Sequence, residues 1–388
     1  ITAKDSLLMT LAARIGVGSI AGIALCIYIG GIGTIFWIWI STIIVASNSF
    51  VETILGIVYH QKDKDKTYIG GPSYYIRKGL NKSWLALIYA FFIIIAYIFC
   101  FLPIQSNTIT KSITTLININ PFILGILLSL TTGLVIFYGI KGIIKITNKM
   151  VPLMGITYCL IAIYVTVKNI NIIPNIFLQI INSAFDIKAG LMGLLTTLIV
   201  GIQRGVFSNE AGLGTGAIAS SITETSNPIS VGLTQIIGIY FNSLIICTAT
   251  AIIILTSNYN NLIIEDINGI ELALYAFKYH LGFIGEILLI IIIFLFAFST
   301  IITGYYYGES SYKFLRKKYN QKEMIIFRIL TIFLICMGSI ISSLTLWKLV
   351  DILVALLAII NIYSLLKLNK QVLLIWKNYN KSKIYDKL

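Results

Sequence analysis

Residues 6–29 read SLLMTLAARIGVGSIAGIALCIYI, a run long enough to cross a bilayer but interrupted near its centre by Gly16, Val17, Gly18 and Ser19. A hydrocarbon core about 30 Å thick takes about 20 apolar residues of helix. Inside it each backbone polar group must be satisfied within the segment, so the run reads as helix, not as an open strand. Similar runs follow almost end to end. They place ten spans at about 6–29, 33–59, 84–108, 121–139, 149–168, 189–207, 229–256, 284–307, 324–345 and 347–366. The mixed stretches 171–188 and 262–281 read as short surface helices, with another at 72–80 on the opposite side.

Composition agrees. Of 388 residues, 57% are hydrophobic and only 11% charged, and the mean hydropathy is +0.91. A soluble domain carries roughly twice that charge. A membrane barrel would show alternating strands of about 10 residues, whereas these runs are long and apolar all round. Cys26, Cys100, Cys159, Cys247 and Cys336 are scattered through apolar stretches without metal-ligand spacing, and read as small buried hydrophobes. His60 and His280 lie in loops with no Cys or His nearby. No cofactor is expected.

Lysine and arginine set the orientation. The segments 60–82, 140–149, 203–227 and 309–323, with Lys4 and the residues after 366, hold 22 of the 29 basic residues. The alternate loops hold only Lys111, Lys168, Lys188, Lys278 and Lys348, while Arg14 and Arg328 fall inside spans. Both termini are therefore expected in the cytoplasm, with an even number of spans. The net charge of +14 follows from this topology and calls for no nucleic acid.

Chemistry belongs where spans are interrupted. Gly16, Gly18 and Gly22 read either as a small-residue packing face or as an unwound segment whose freed N–H and carbonyl groups hold a carboxylate and a cation. A second glycine-rich stretch, Gly201-Ile202-Gln203-Arg204-Gly205 running on to Gly214, follows the sixth apolar run. It reads as a loop, or as the counterpart of the first break, since spans one and six correspond in two five-helix halves. Ser299 and Thr300 lie inside span eight, where they either bond back to their own turn or complete an oxygen shell for a hard cation. Gln105 reads as a helix end meeting water. Glu52 is the one acid well inside a span, so it needs a partner. Arg14 and the N–H groups of Gly16 to Gly18 are the candidates. No paired catalytic acids, nucleophile–base set or phosphate loop falls within the spans, which argues against an enzyme.

At these residues the chain resembles the alanine/glycine:cation symporter family, the sodium:alanine symporters. The matching stretches are Leu11 to Gly22, Gly30-Gly31-Ile32-Gly33 before Phe36-Trp37, Gly70 to Ile76, Arg204-Gly205-Val206-Phe207-Ser208-Asn209-Glu210-Ala211-Gly212-Leu213-Gly214, and Ala297 to Thr300 followed by Tyr306 to Glu309. The resemblance implies an all-α LeuT-type membrane fold of five plus five inverted helices, with repeats at 1–168 and 189–366 and a cytoplasmic tail at 367–388. It implies a secondary transporter in a cell membrane that carries small neutral amino acids such as alanine or glycine with sodium. Proton coupling, exchange, or a shortened and inactive family member are the alternatives. It further implies that the substrate meets Gly16, Val17, Gly18, Ser19 and Gln105, its side chain facing Thr197, Gly201 and Ile202. Sodium is implied at Ala12, Ile15, Ser299 and Thr300, with Glu52 bracing the unwound part of span one. The family commonly has Asn at the position of Ser19 and Thr or Ser at that of Val17. It also carries an extra leading helix, so a shortened chain or a fragment with the transport core complete is expected.

Overall fold

The first expected span forms two helices. In the computed structural model, which describes residues 1–64, 66–186, 190–225, 227–316 and 318–385, α1 spans Ala3–Arg14 and α2 spans Ala21–Gly30. Thr2 and Asp5 cap the start of α1 reciprocally: the Asp5 N–H donates to the Thr2 hydroxyl and the Thr2 N–H to the Asp5 carboxylate. The helix stops at Ile15, whose ψ of 69° leaves the helical region, and a 3-10 turn over Val17–Ser19 joins it to α2. Two glycines in three positions favour the stop, each lowering helix propensity by about 1 kcal/mol. Residues 8–24 are all buried, so the irregular backbone is surrounded by protein, the condition under which it is tolerated at membrane depth.

Helix α3 (Thr34–Val58) leads into a short antiparallel hairpin, β1 (Gln61–Lys62) with β2 (Tyr68–Ile69), and α4 (Pro72–Gly79). Next, α5 (Ser83–Ile94), a π-helical turn (Ile95–Phe101) and α6 (Leu102–Thr114) form one rod. Helices α7 (Pro121–Ile136), α8 (Gly139–Lys168) and the surface helix α9 (Ile173–Ala184) follow. Beyond them lie α10 (Gly190–Asn209) and α11 (Thr215–Ser220), then α12 (Pro228–Tyr240), a second π-helical turn (Phe241–Cys247) and α13 (Thr248–Leu255). The chain ends with α14 (Tyr259–Ile264), α15 (Gly269–Arg316), α16 (Gln321–Gly338) and α17 (Ser343–Tyr385). Among the described residues, seven helices are long and apolar enough to cross a membrane, and α2 and α7 are shorter apolar helices. Leu134, Ile156, Ile199 and Ile326 are among many large apolar side chains facing outward, a surface suited to lipid and not to water.

The stretch 262–281 stands apart from span eight as expected: it holds the end of α14 and the first part of α15, and Gly282, with φ 66° and ψ −155°, breaks α15 into two helices before span eight. Several boundaries differ from expectation. Helix α16 ends at Gly338, short of 345, and the following helix runs on to Tyr385 through the expected tail. The glycines at 201 and 205 do not interrupt α10; the backbone leaves the helix at Glu210, and Glu210, Gly212 and Gly214 all have positive φ. Lys188, the expected start at 189 and the end of the tail at 386–388 lie outside the described residues.

The hairpin is pinned to the end of α15. Lys313 Nζ lies 3.0 Å from Asp63 Oδ2 and 2.9 Å from Glu309 Oε1, and the Tyr319 hydroxyl donates to Asp63 at 2.7 Å. Burial works to raise the Asp63 carboxyl, but Lys313 and the hydrogen bonds outweigh it and hold it below the usual carboxylate range. A depressed folded-state value means the latch is whole above about pH 4 and weakens as the pH falls through the lowered value. Asp63→Asn is expected to speed tryptic cleavage at Lys62 and Lys64 several-fold at neutral pH; cleavage at the wild-type rate would remove Asp63 from the latch.

Candidate functional site

The break between α1 and α2 faces α15 and α6. Ser299 and Thr300, buried on α15, donate to the Ala12 carbonyl at 3.1 and 3.0 Å, and Thr300 also reaches the Ala13 carbonyl at 3.2 Å. Both hydroxyls lie 2.9 Å from the Phe296 carbonyl of their own helix. From the opposite side the Gln105 side-chain oxygen accepts the Val17 N–H at 3.1 Å. Gly16 sits between these groups: a Cβ there would lie 2.5 Å from Thr300 Oγ1 and 3.2 Å from Gln105 Oε1. Among the described residues, no backbone carbonyl accepts from the N–H of Gly16 or Gly18. The break thus gathers carbonyls toward α15 and leaves the N–H groups of Gly16 and Gly18 without a backbone acceptor on either side of the Val17 N–H that Gln105 accepts.

Helix α10 and the second π-helical turn hold the far side of the break. The Ser19 hydroxyl donates to Asn242 Oδ1 at 2.8 Å, Asn242 Nδ2 donates to the Ser208 carbonyl at 2.9 Å, and Thr250 donates to the Ser19 carbonyl at 2.7 Å. A π-helical turn shifts the side-chain register of a helix and is frequent at functional sites; here it brings Asn242 into the network. Phe207 closes the space over Gly18, where a Cβ would come within 2.7 Å of its ring. Phe207 stacks on Phe101 with centroids 4.9 Å apart and tilts against Trp347 at 4.7 Å. Arg204 covers Trp347 at 4.7 Å and pairs with Asp351 of α17. An aromatic layer therefore lies between the break and that part-buried ion pair.

The second break, Glu210 to Gly214, is satisfied by side chains. Glu210 accepts from the Tyr97 hydroxyl at 2.7 Å and from Thr215 at 3.0 Å. Glu52 accepts the Gly214 N–H at 3.0 Å and the Asn361 amide at 3.1 Å through Oε2, while its Oε1 has no partner. Arg14 donates to the Gln235 carbonyl and side chain at 3.3 and 3.1 Å and to Ser49 at 3.2 Å. Glu52 therefore does not hold the first break through Gly16 to Gly18, as expected; it holds the second. The reason is geometric: the N–H left over at Gly214 faces α3.

Of the residues implied for the substrate, the structure brings together Gly16, Val17, Gly18, Ser19 and Gln105. Thr197, Gly201 and Ile202 sit elsewhere. Thr197 donates to the Gly30 carbonyl at 3.0 Å, Gly201 packs where a Cβ would meet the Thr34 carbonyl at 2.6 Å, and Ile202 is 38% exposed on the outer surface. Phe207 and Ser208, two turns further on, are the residues of α10 that face the break. Of those implied for the cation, Ala12, Ser299 and Thr300 adjoin one another, and Ile15 lies at the end of α1. Phe207, Ser208, Asn242 and Asn361 were missed. The two asparagines carried a signal, being amide side chains inside apolar spans; Phe207 and Ser208 stood in the matching stretch 204–214 without a role in the site.

The family model described as the sodium:alanine symporter family matches residues 1–387. The chain is similar to the probable sodium/glutamine symporter GlnT of Bacillus subtilis, 36% identical over 97% of this chain and 78% of that protein. It is also similar to the sodium/alanine symporter AgcS of Methanococcus maripaludis, 32% identical over 97% of this chain and 83% of that one. Among solved structures it resembles MhsT in complex with L-phenylalanine, with a TM-score of 0.65 at 14% identity, covering 94% of this chain and 87% of that one. That likeness bears on the fold alone, a LeuT-type transporter fold.

Proposed function

The chain belongs to the sodium:alanine symporter family, a family of membrane transporters and not of enzymes, and from that membership we propose that it is a sodium-coupled symporter of small neutral amino acids, alanine or glycine. In this reading ten spans form two inverted halves, 1–168 and 189–366, with both termini and the tail in the cytoplasm of the cell. The observation that carries it is the buried break in the first span, with hydroxyls on one side and N–H groups on the other. The amino acid carboxylate takes the N–H groups of Gly16 and Gly18 beside Gln105. Sodium takes the carbonyls of Ala12 and Ile15 and the hydroxyls of Ser299 and Thr300. Each hydroxyl then turns its proton to the Phe296 carbonyl, 2.9 Å away, and offers a lone pair to the ion, as a hard cation requires. An ion bridging α1 and α15 favours one conformation, and the substrate adds to that preference; this linkage drives uphill transport. Labelled alanine and glycine uptake into proteoliposomes, with and without an inward sodium gradient, tests the reading. Equal uptake in both conditions rejects sodium coupling.

Small substrates follow from Phe207, which fills the space next to Gly18. Phe207→Ala is expected to let larger neutral amino acids such as glutamine or leucine compete with alanine uptake about tenfold better than in the wild type. An unchanged order of competition would place the substrate side chain elsewhere. Proton coupling is the second reading, favoured by the unpartnered Oε1 of Glu52. Uptake driven by a pH gradient in the absence of sodium distinguishes it.

A further inference from the structure

Helices α5 and α17 pack against each other, and a lysine stands at the same end of each. Lys82 lies just before the apolar run that opens at 84, and Lys367 just after the run that ends at 366. Both belong to the side that the basic segments mark as cytoplasmic. Tyr363 of α17 sits beside them. Lys82 Nζ donates to its hydroxyl at 2.6 Å and lies 4.9 Å from its ring centre, and Lys367 Nζ lies 6.0 Å from the same centre. Gly79 packs on Leu368, where a Cβ would come within 3.0 Å, so Lys78 and Lys370 join the same end of the two helices. On the membrane side of these groups both helices expose large apolar side chains, Trp84 and Phe91 on α5 and Leu356 and Ile359 on α17. An exposed tryptophan at that level is a mark of the membrane interface.

The cluster is rich in donors and holds no acid. Residues 72–91 and 352–385 contain neither Asp nor Glu, and among the described residues neither Lys82 nor Lys367 pairs with a carboxylate. An ammonium has three donors and a phenol has one. Lys82 spends one donor on Tyr363, while the Tyr363 proton and the Lys367 ammonium meet no acceptor among the described residues. Ammonium and hydroxyl donors gathered in this way match an oxyanion, which only accepts. The apolar stems of lysine carry their charged heads to the headgroup layer, and lysines clustered just cytoplasmic of a span attract anionic lipid. The exposed apolar side chains decide between a lipid phosphate and a free one: they offer surface to acyl chains and nothing to a soluble ion.

We propose that Lys82, Tyr363 and Lys367 hold the phosphate of one anionic phospholipid of the cytoplasmic leaflet, whose acyl chains lie along α5 and α17. The test is native mass spectrometry of the full chain in detergent with added phosphatidylglycerol, phosphatidylcholine or glycerol 3-phosphate. One phosphatidylglycerol is expected to be retained at least about tenfold more tightly than phosphatidylcholine, with no retention of glycerol 3-phosphate. Lys82→Gln with Lys367→Gln is expected to lower that retention about tenfold. Tyr363→Phe, which keeps the ring and removes only the hydroxyl, is expected to lower it about threefold. Lys141→Gln with Lys145→Gln takes the same charge from exposed positions in another basic segment and is expected to leave retention unchanged. Equal retention of the two lipids by the wild type overturns the proposal, as does binding of glycerol 3-phosphate as tight as the lipid. So does wild-type retention in the Lys82 and Lys367 double variant or in Tyr363→Phe. An equal loss in the Lys141 and Lys145 variant overturns it too, since the attraction would then belong to the whole basic surface.

Discussion

Replacing Ser299 and Thr300 together by alanine is expected to abolish the sodium dependence of alanine uptake while leaving the protein folded. The two hydroxyls supply half of the proposed sodium shell. Hydrogen bonds to charged groups are worth about 1.5–3 kcal/mol. Taking that as the scale of each hydroxyl–ion contact, the double change weakens sodium binding by about 3–6 kcal/mol, or roughly a hundredfold to ten-thousandfold. The structural cost is smaller. Each hydroxyl shares its proton between Ala12 and Phe296 carbonyls, and a neutral hydrogen bond contributes about 1 kcal/mol net. Ser299→Ala alone should give an intermediate sodium dependence, since Thr300 keeps its place. The readout is the sodium concentration giving half-maximal uptake in proteoliposomes, with size-exclusion chromatography as the folding control. Sodium-driven uptake at wild-type concentrations in the double variant would refute the ion site.

Much of this arrangement was legible in the chain, for physical reasons that also mark where legibility stops. Apolar runs of membrane length announce themselves because lipid leaves no alternative to a helix. The first break was legible because Gly16 and Gly18 lower helix propensity within one turn. The second was misplaced because glycine serves two purposes. Gly201 and Gly205 look like helix breakers, yet they let α3 approach: a Cβ at Gly201 would lie 2.8 Å from the Trp37 Cβ, and one at Gly205 would lie 3.0 Å from Ser41 Oγ. The actual departure begins at Glu210, a non-glycine residue with φ of 55°, held by Tyr97 and Thr215 from other turns of the fold. Propensity cannot foresee a conformation imposed by distant partners. Glu52 repeats the lesson: its need for a partner was evident and the charge of Arg14 lies close by, but its hydrogen bonds from Gly214 and Asn361 depend on which groups the packing of α3, α11 and α17 brings within reach. Gln105 looked like a helix end in water; it is buried and bonded to the Val17 N–H.

Gly16→Ala should be nearly as damaging as loss of the hydroxyls, through a different cause. A Cβ at this position would stand 2.5 Å from Thr300 Oγ1, closer than real Cβ atoms approach, and 3.3 Å from Thr300 Cβ, a tight contact. Either α1 retreats from α15 or Thr300 turns away, and both remove an oxygen from the proposed ion site. Overpacking of a tight interior costs about 1–3 kcal/mol, enough to raise the half-maximal sodium concentration roughly tenfold or more without unfolding the chain. The strain has a specific remedy. Thr300→Ser keeps the hydroxyl but removes the methyl group that restricts its rotation, so Gly16→Ala with Thr300→Ser should recover part of the sodium affinity. A general helix effect would behave otherwise, because Gly16 lies outside α1 and alanine would favour extending the helix whatever residue stands at 300. Recovery in the double variant therefore assigns the defect to contact across the break. Equal loss in single and double variants would assign it to the backbone of the break, and would separate the geometry of Gly16 from the chemistry of Thr300.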